Sequence, residues 1–177
     1  MPQQRPVVVV GLMGAGKTTV GRRLAQALGR AFHDSDEQLS EWYGATASEQ
    51  YQRHGVERLH QREADQLRRS LAARPAPVVA AAASVIDNPQ CRAALADAYV
   101  VWLDAPPAVL ARRVGGADHR PRYDPDPRHM LARQYERRAV HFAAVADLRL
   151  DVERLTPDQT VAAALSAITG QPGAALG

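Results

Sequence analysis

Val7 to Val10 are four β-branched residues in a row, with no polar position among them. A strand covered on both faces reads this way, since each side of the pleat meets an apolar layer. From Thr18 to Leu28 the apolar positions fall instead at Val20, Leu24 and Leu28, the interval of a helix with one buried face. The two patterns then alternate along the chain. Ala31 to His33 predict a short second strand running into Asp34-Ser35-Asp36, with helical stretches over roughly 37 to 54 and 57 to 73. Val78 to Ala81 predict a third strand, Pro89 to Leu95 a short helix, Tyr99 to Leu103 a fourth strand and Pro106 to Val114 another helix. A polar segment, Gly115 to Asp126, is followed by a long helix over about 128 to 144, a strand at Leu148 to Leu150 and a last helix from Pro157 to Ile168.

Strands alternating with helices predict an α/β fold: an open, five-stranded parallel sheet with helices on both faces. Ligands of such a sheet lie beyond the carboxyl ends of its strands. No repeat or linker divides the chain, so residues 1–170 are expected to form one domain and residues 171–177 a flexible tail. At 177 residues the chain can bury about 70% of its unfolded surface, and needs neither disulfide nor metal to hold it together.

Composition narrows the class of protein. The single cysteine, Cys91, has no internal partner and suits a reducing cytoplasm. No apolar run approaches the roughly 20 residues of a membrane span, and Met1 to Met13 do not read as a signal peptide, so a cytoplasmic protein with no membrane partner is expected. The net charge of +3 comes from arginines spread along the whole chain, and aromatics make up 5%. A nucleic-acid binder would concentrate its basic residues and interleave aromatics, so that partner is not expected.

One residue stands out from that background. Of the 22 lysines and arginines, Lys17 is the single lysine, and it lies in Gly11-Leu-Met-Gly14-Ala15-Gly16-Lys17-Thr18. The segment fits GxxxxGK[ST], in which successive backbone N–H groups cradle a triphosphate and the lysine reaches its outer phosphates. A planar guanidinium is too bulky for that nest. Gly11, Gly14, Ala15, Gly16, Lys17, Thr18 and Thr19 are therefore the candidate nucleotide-binding residues, with the Thr18 hydroxyl placed for Mg²⁺.

Other residues narrow the kind of phosphate-binding protein. A guanine-specific NKxD box needs a second lysine, which the chain lacks, and the third strand runs into Ala82, Ala83 and Ser84 rather than an acid. The nearby carboxylates are Asp34 and Asp36, two apart at the exit of the second strand, where an extended chain would point both into one cleft. One can serve Mg²⁺ while the other holds or deprotonates an acceptor hydroxyl. Alternatively, Asp36 caps the following helix.

From the P-loop to the last helix the chain resembles the shikimate kinase family. That family has GxxGxGK[ST], a DxD after strand two, a GExxFRxxE helix, three glycines after strand three, an Arg-Pro lid and an arginine on the penultimate helix. The resemblance implies a P-loop nucleoside-triphosphate-binding fold with a lid at about 115–126, using ATP and Mg²⁺ to phosphorylate an alcohol. Asp34 then corresponds to the Mg²⁺-associated carboxylate and Asp36 to the one that binds the acceptor hydroxyl. Arg120, followed by Pro121, corresponds to the lid arginine, while Arg113 and Pro157 fall where the family packs adenine. Arg138 falls at a substrate-carboxylate arginine. It also shares an apolar stripe with Leu131, Tyr135, Phe142 and Val145, where an inward arginine wants an anionic partner unless it snorkels to the edge of the core.

Two departures affect the acceptor side. His60 occupies the place of the family's other carboxylate-binding arginine, with Glu63 retained, and Ala82-Ala83-Ser84 replace the three glycines. Arg58 and Arg62 lie on a different helix face from position 60. Added side chains would crowd the floor under a substrate ring, and losing a charged hydrogen bond costs about 1.5 to 3 kcal/mol. His60 also continues an apolar stripe through Ala64, Leu67 and Leu71, so a structural role stays open for it. The expected activity is ATP- and Mg²⁺-dependent phosphorylation of a small polar metabolite, shikimate first among candidates, by a monomer or weak homodimer. Alternatives are a related cyclitol, sugar or secondary-metabolite alcohol, a nucleotide-binding module without transfer, and a nucleoside monophosphate kinase using Arg53, Arg58 and Arg62.

Overall fold

The valine run lies in the middle of a five-stranded, wholly parallel sheet. The computed structural model describes residues 5–115 and 125–170. Strands β1 (Val7–Val10), β2 (Phe32–Asp34), β3 (Val78–Ala80), β4 (Tyr99–Asp104) and β5 (Leu148–Asp151) are ordered β2-β3-β1-β4-β5. Val8 faces Val79 on one side and Val100 on the other, and no residue of β1 is more than 1% exposed. A strand buried at both odd and even positions has helices over both faces, as its unbroken apolar run requires.

Eight α-helices appear among the described residues: α1 (Lys17–Leu28), α2 (Ser35–Tyr43), α3 (Ala47–His54), α4 (Val56–Ala72), α5 (Pro89–Ala94), α6 (Pro107–Val114), α7 (Pro127–Val145) and α8 (Pro157–Thr169). Helix α1 packs on β3 and α8, and α7 packs on α6 and β4, where Trp102 stacks on Phe142 with ring centroids 5.7 Å apart. The main apolar core runs along the sheet from Val20 and Leu24 to Leu131 and Phe142. A second, smaller cluster joins Leu39, Ala47 and Leu59, with Tyr51 against it, beneath α2, α3 and the start of α4.

Two local expectations change. The stretch over roughly 37 to 54 is broken into α2 and α3, because Gly44 takes a left-handed φ of 63° and ends α2. Thr46 then starts α3 with a capping box: its N–H donates to Glu49 Oε2 (2.7 Å) and its Oγ1 accepts from Glu49 N–H (3.2 Å). The second change is that β2 stops at Asp34, so Asp36 lies in a helical turn and not in an extended segment. Most of the polar segment at 115–126, including Arg120, and the tail at 171–177 lie outside the described residues.

Candidate active site

The strand order decides what meets at the carboxyl edge of the sheet. With β3 between β2 and β1, the turn after β1, Asp34 at the end of β2 and Ala81–Ser84 after β3 come together around one cavity of about 410 Å³. Lys17, Thr18, Asp34, Asp36, His60, Glu63, Ala82, Ala83, Ser84 and Arg138 all line it. Residues separated by as much as two thirds of the chain therefore line one cavity.

Gly11 to Gly16 form the nest. Gly14 (φ 87°) and Gly16 (φ 92°) are left-handed, and a Cβ on Gly14 would come within 2.8 Å of the Leu110 carbonyl oxygen. Gly16 is the N-cap of α1 and supplies no side-chain oxygen, so the first-turn N–H groups are left to an external anion. Ala15 is buried and Thr19 exposed on the same turn of chain. Lys17 is 8% exposed, and its ammonium is folded over the turn and donates to the carbonyls of Gly11 (2.9 Å) and Leu12 (3.3 Å).

Asp34 does two things at once. Its Oδ2 accepts from the Thr18 hydroxyl at 2.6 Å, and its Oδ1 caps α2 by accepting from the N–H groups of Asp36 (2.9 Å) and Glu37 (3.1 Å). The helix cap is thus Asp34, not Asp36, and the side chain of Asp36 lines the cavity from the first turn of α2. Both carboxylates border the cleft, but through a strand-to-helix junction rather than the two-residue repeat of a strand. Thr18 Oγ1 and Asp34 Oδ2 are adjacent hard oxygens, a donor set that fits a Mg²⁺ ion taking its other ligands from water and phosphate.

The acceptor wall departs from its expected layout. Arg138 is 4% exposed and has an anionic partner from within the chain: its Nε donates to Asp87 Oδ1 (3.1 Å) and Oδ2 (3.0 Å), and its Nη2 to Oδ2 (2.7 Å). It does not snorkel. Ser84 donates its hydroxyl to Glu63 within the cavity lining, while Ala82 and Ala83 add methyl groups to it. His60 is half-buried, and burial, seconded by the nearby Arg138 charge, lowers its pKa and favours the neutral ring. Arg62 is occupied elsewhere, donating to Gln50 Oε1 (2.9 Å) and stacking on Tyr43 at 3.8 Å, so it supplies no phosphate site to this cavity.

Arg113 and Pro157 stand outside the cavity wall. Arg113 Nη2 donates to the Val152 carbonyl at 2.7 Å, bringing the end of α6 to the segment that leads into α8. Pro157 is exposed at the first position of α8, where its missing N–H costs nothing. The sequence reading missed Asp87, and it missed Arg133 and Arg137, which line the cavity from α7. Their spacing of four placed them on one helix face and could have pointed to them.

Glu63 is 6% exposed, and burial pushes its pKa up to about 7, with the Ser84 hydrogen bond opposing the shift and the Asp36 charge adding to it. The folded protein thus holds this proton more tightly than the unfolded chain does. The stability it contributes is complete below about pH 4.5 and is lost as pH rises to about 7. Glu63→Gln is expected to remove this loss. In urea unfolding the variant should gain on the parent by about 3 kcal/mol between pH 4.5 and pH 8, and an equal difference at both pH values would refute the shift.

A glycine nest opening a helix, its lysine, and a carboxylate on the same cavity define a P-loop phosphotransferase site. The family model described as shikimate kinase matches residues 13–169. Shikimate kinase from Paramagnetospirillum magneticum is 35% identical over 158 residues, covering 89% of this chain and 80% of that protein. Shikimate kinase from Thermobifida fusca is 36% identical over 156 residues, covering 88% and 90%. The structure of Acinetobacter baumannii shikimate kinase in complex with shikimate superposes with a TM-score of 0.87 at 30% identity, covering 94% of this chain and 93% of that one. The chain belongs to the shikimate kinase family. It is a phosphotransferase that takes ATP as donor and the hydroxyl group of a small molecule as acceptor. No helix among the described residues is long and apolar enough to cross a membrane.

Proposed function

We propose that the protein transfers the terminal phosphoryl group of ATP to a hydroxyl of shikimate. Family membership supports this acceptor, and the observation that carries the reading is that Lys17 and Asp36 line one cavity. The nest of Gly11, Gly14, Ala15, Gly16, Lys17, Thr18 and Thr19 binds the phosphates through backbone N–H groups and the α1 dipole. Lys17 exchanges the carbonyls of Gly11 and Leu12 for phosphate oxygens and offsets charge on the transferring group. Asp36 accepts a hydrogen bond from the acceptor hydroxyl, aligns its oxygen and takes the proton as the new O–P bond forms. Arg120 is assigned to the same phosphates from outside the described residues, and Arg113 with Pro157 to the adenine side.

Thr18 and Asp34 would hold Mg²⁺, which supplies charge neutralisation to the phosphates when bound. Glu63, His60, Ala82, Ala83 and Arg138 form the wall against which the acceptor ring sits. Drawing on ATP as donor supports a cytoplasmic setting. The test is ADP release measured with shikimate beside uncharged cyclitols and hexoses. Shikimate-dependent ADP formation is expected, and turnover confined to the uncharged alcohols would overturn the acceptor.

A further inference from the structure

Arg138 lines the cavity, and its guanidinium is a planar fork of the kind that pairs with a carboxylate through two parallel hydrogen bonds. Asp87 already takes its Nε and Nη2 edge. Asp87 ends the 3₁₀ turn Ala83–Asp87, which begins at the cavity floor and leads its carboxylate back onto Arg138. The two partners are unequally placed: the Arg138 side chain is 5% exposed, whereas that of Asp87 is 31% exposed, with Arg137 Nη2 3.7 Å from the same oxygen. Water and solute therefore reach Asp87. If it leaves the fork it regains hydration and stays beside Arg137, so its departure costs little in desolvation. Arg138 cannot leave, and it needs an anion in the fork whichever carboxylate supplies it.

We propose that Asp87 is an internal competitor for the acceptor's carboxylate: it occupies the fork of Arg138, and an acidic acceptor binds there by displacing it. The inference rests on the shikimate reading for its substrate. A carboxylate tethered beside its site acts at a high effective concentration, so the parent protein needs more of the acid to saturate. Asp87 acts through Arg138 and sets acceptor affinity rather than the chemical step.

The experiment compares the full chain with Asp87→Asn and Asp87→Ala in steady-state kinetics at saturating ATP. KM for shikimate is expected to fall by roughly tenfold in both, with kcat and KM for ATP within about twofold of the parent. The methyl ester of shikimate has no carboxylate to compete, so its KM should not follow. An unchanged or raised KM for shikimate, or an equal fall for acid and ester, overturns the proposal. Asn keeps a neutral oxygen against Arg138 if the Ala variant does not fold. Calorimetric titration of shikimate in the presence of ADP reads the same comparison without turnover. Absence of shikimate-dependent ADP from the parent refutes the substrate reading, while tighter calorimetric binding by Asp87→Asn still upholds the competitor and equal or absent binding refutes it.

Discussion

Lys17→Met is expected to lower kcat for ADP formation by about a thousandfold, equivalent to about 4 kcal/mol of lost transition-state stabilisation. The methionine has nearly the length of lysine and keeps the apolar stem in place, but it removes the charge that crosses from the Gly11 and Leu12 carbonyls to the phosphates. Lys17→Arg is expected to fail almost as completely, because a planar, larger head does not fit where the lysine is buried against the turn. The measurement is a coupled ADP assay, with thermal unfolding alongside to show that both variants are folded. A Lys17→Met enzyme within tenfold of the parent would remove the P-loop lysine from the mechanism.

Asp36→Asn tests the acceptor side. Its kcat should fall by about a hundred- to a thousandfold, the range expected when a positioned base is lost, while ATP binds as before. The separation is possible because Asp34, not Asp36, caps α2 and bonds Thr18, so the substitution leaves the helix start and the phosphate side intact. Titration with a non-hydrolysable ATP analogue, set beside kcat, gives both numbers. A kcat within threefold of the parent would mean that the acceptor hydroxyl needs no carboxylate at position 36.

What the sequence made legible was local. The strand, glycine turn and helix from Val7 to Leu28 are set by neighbours in the chain, so a β-branched run, left-handed glycines and an interval of four suffice to read them. Gly44 was readable as a helix stop in the same way, yet the helical periodicity on both sides hid it. Other contacts had no local signal. Arg138 could be read as an inward arginine in want of an anion, but its partner lies 51 residues away at the end of a 3₁₀ turn that no periodicity marks. Likewise, Ser84 read as a crowded floor residue because its bond to Glu63 joins two elements brought together only by the sheet order. The Asp34 and Asp36 pair shows a right placement reached through a wrong backbone geometry.

The small cluster of Leu39, Ala47 and Leu59 shares no buried residue with the core along the sheet. Helix α4 ties the two together, giving Leu59 to the first and Ala64 and Leu67 to the second. Helix α2, which carries Asp36, and α3 thus rest on an apolar cluster of their own. Their amides should open to deuterium well before those of β1, and the receiving half of the site can breathe while the phosphate nest stays closed.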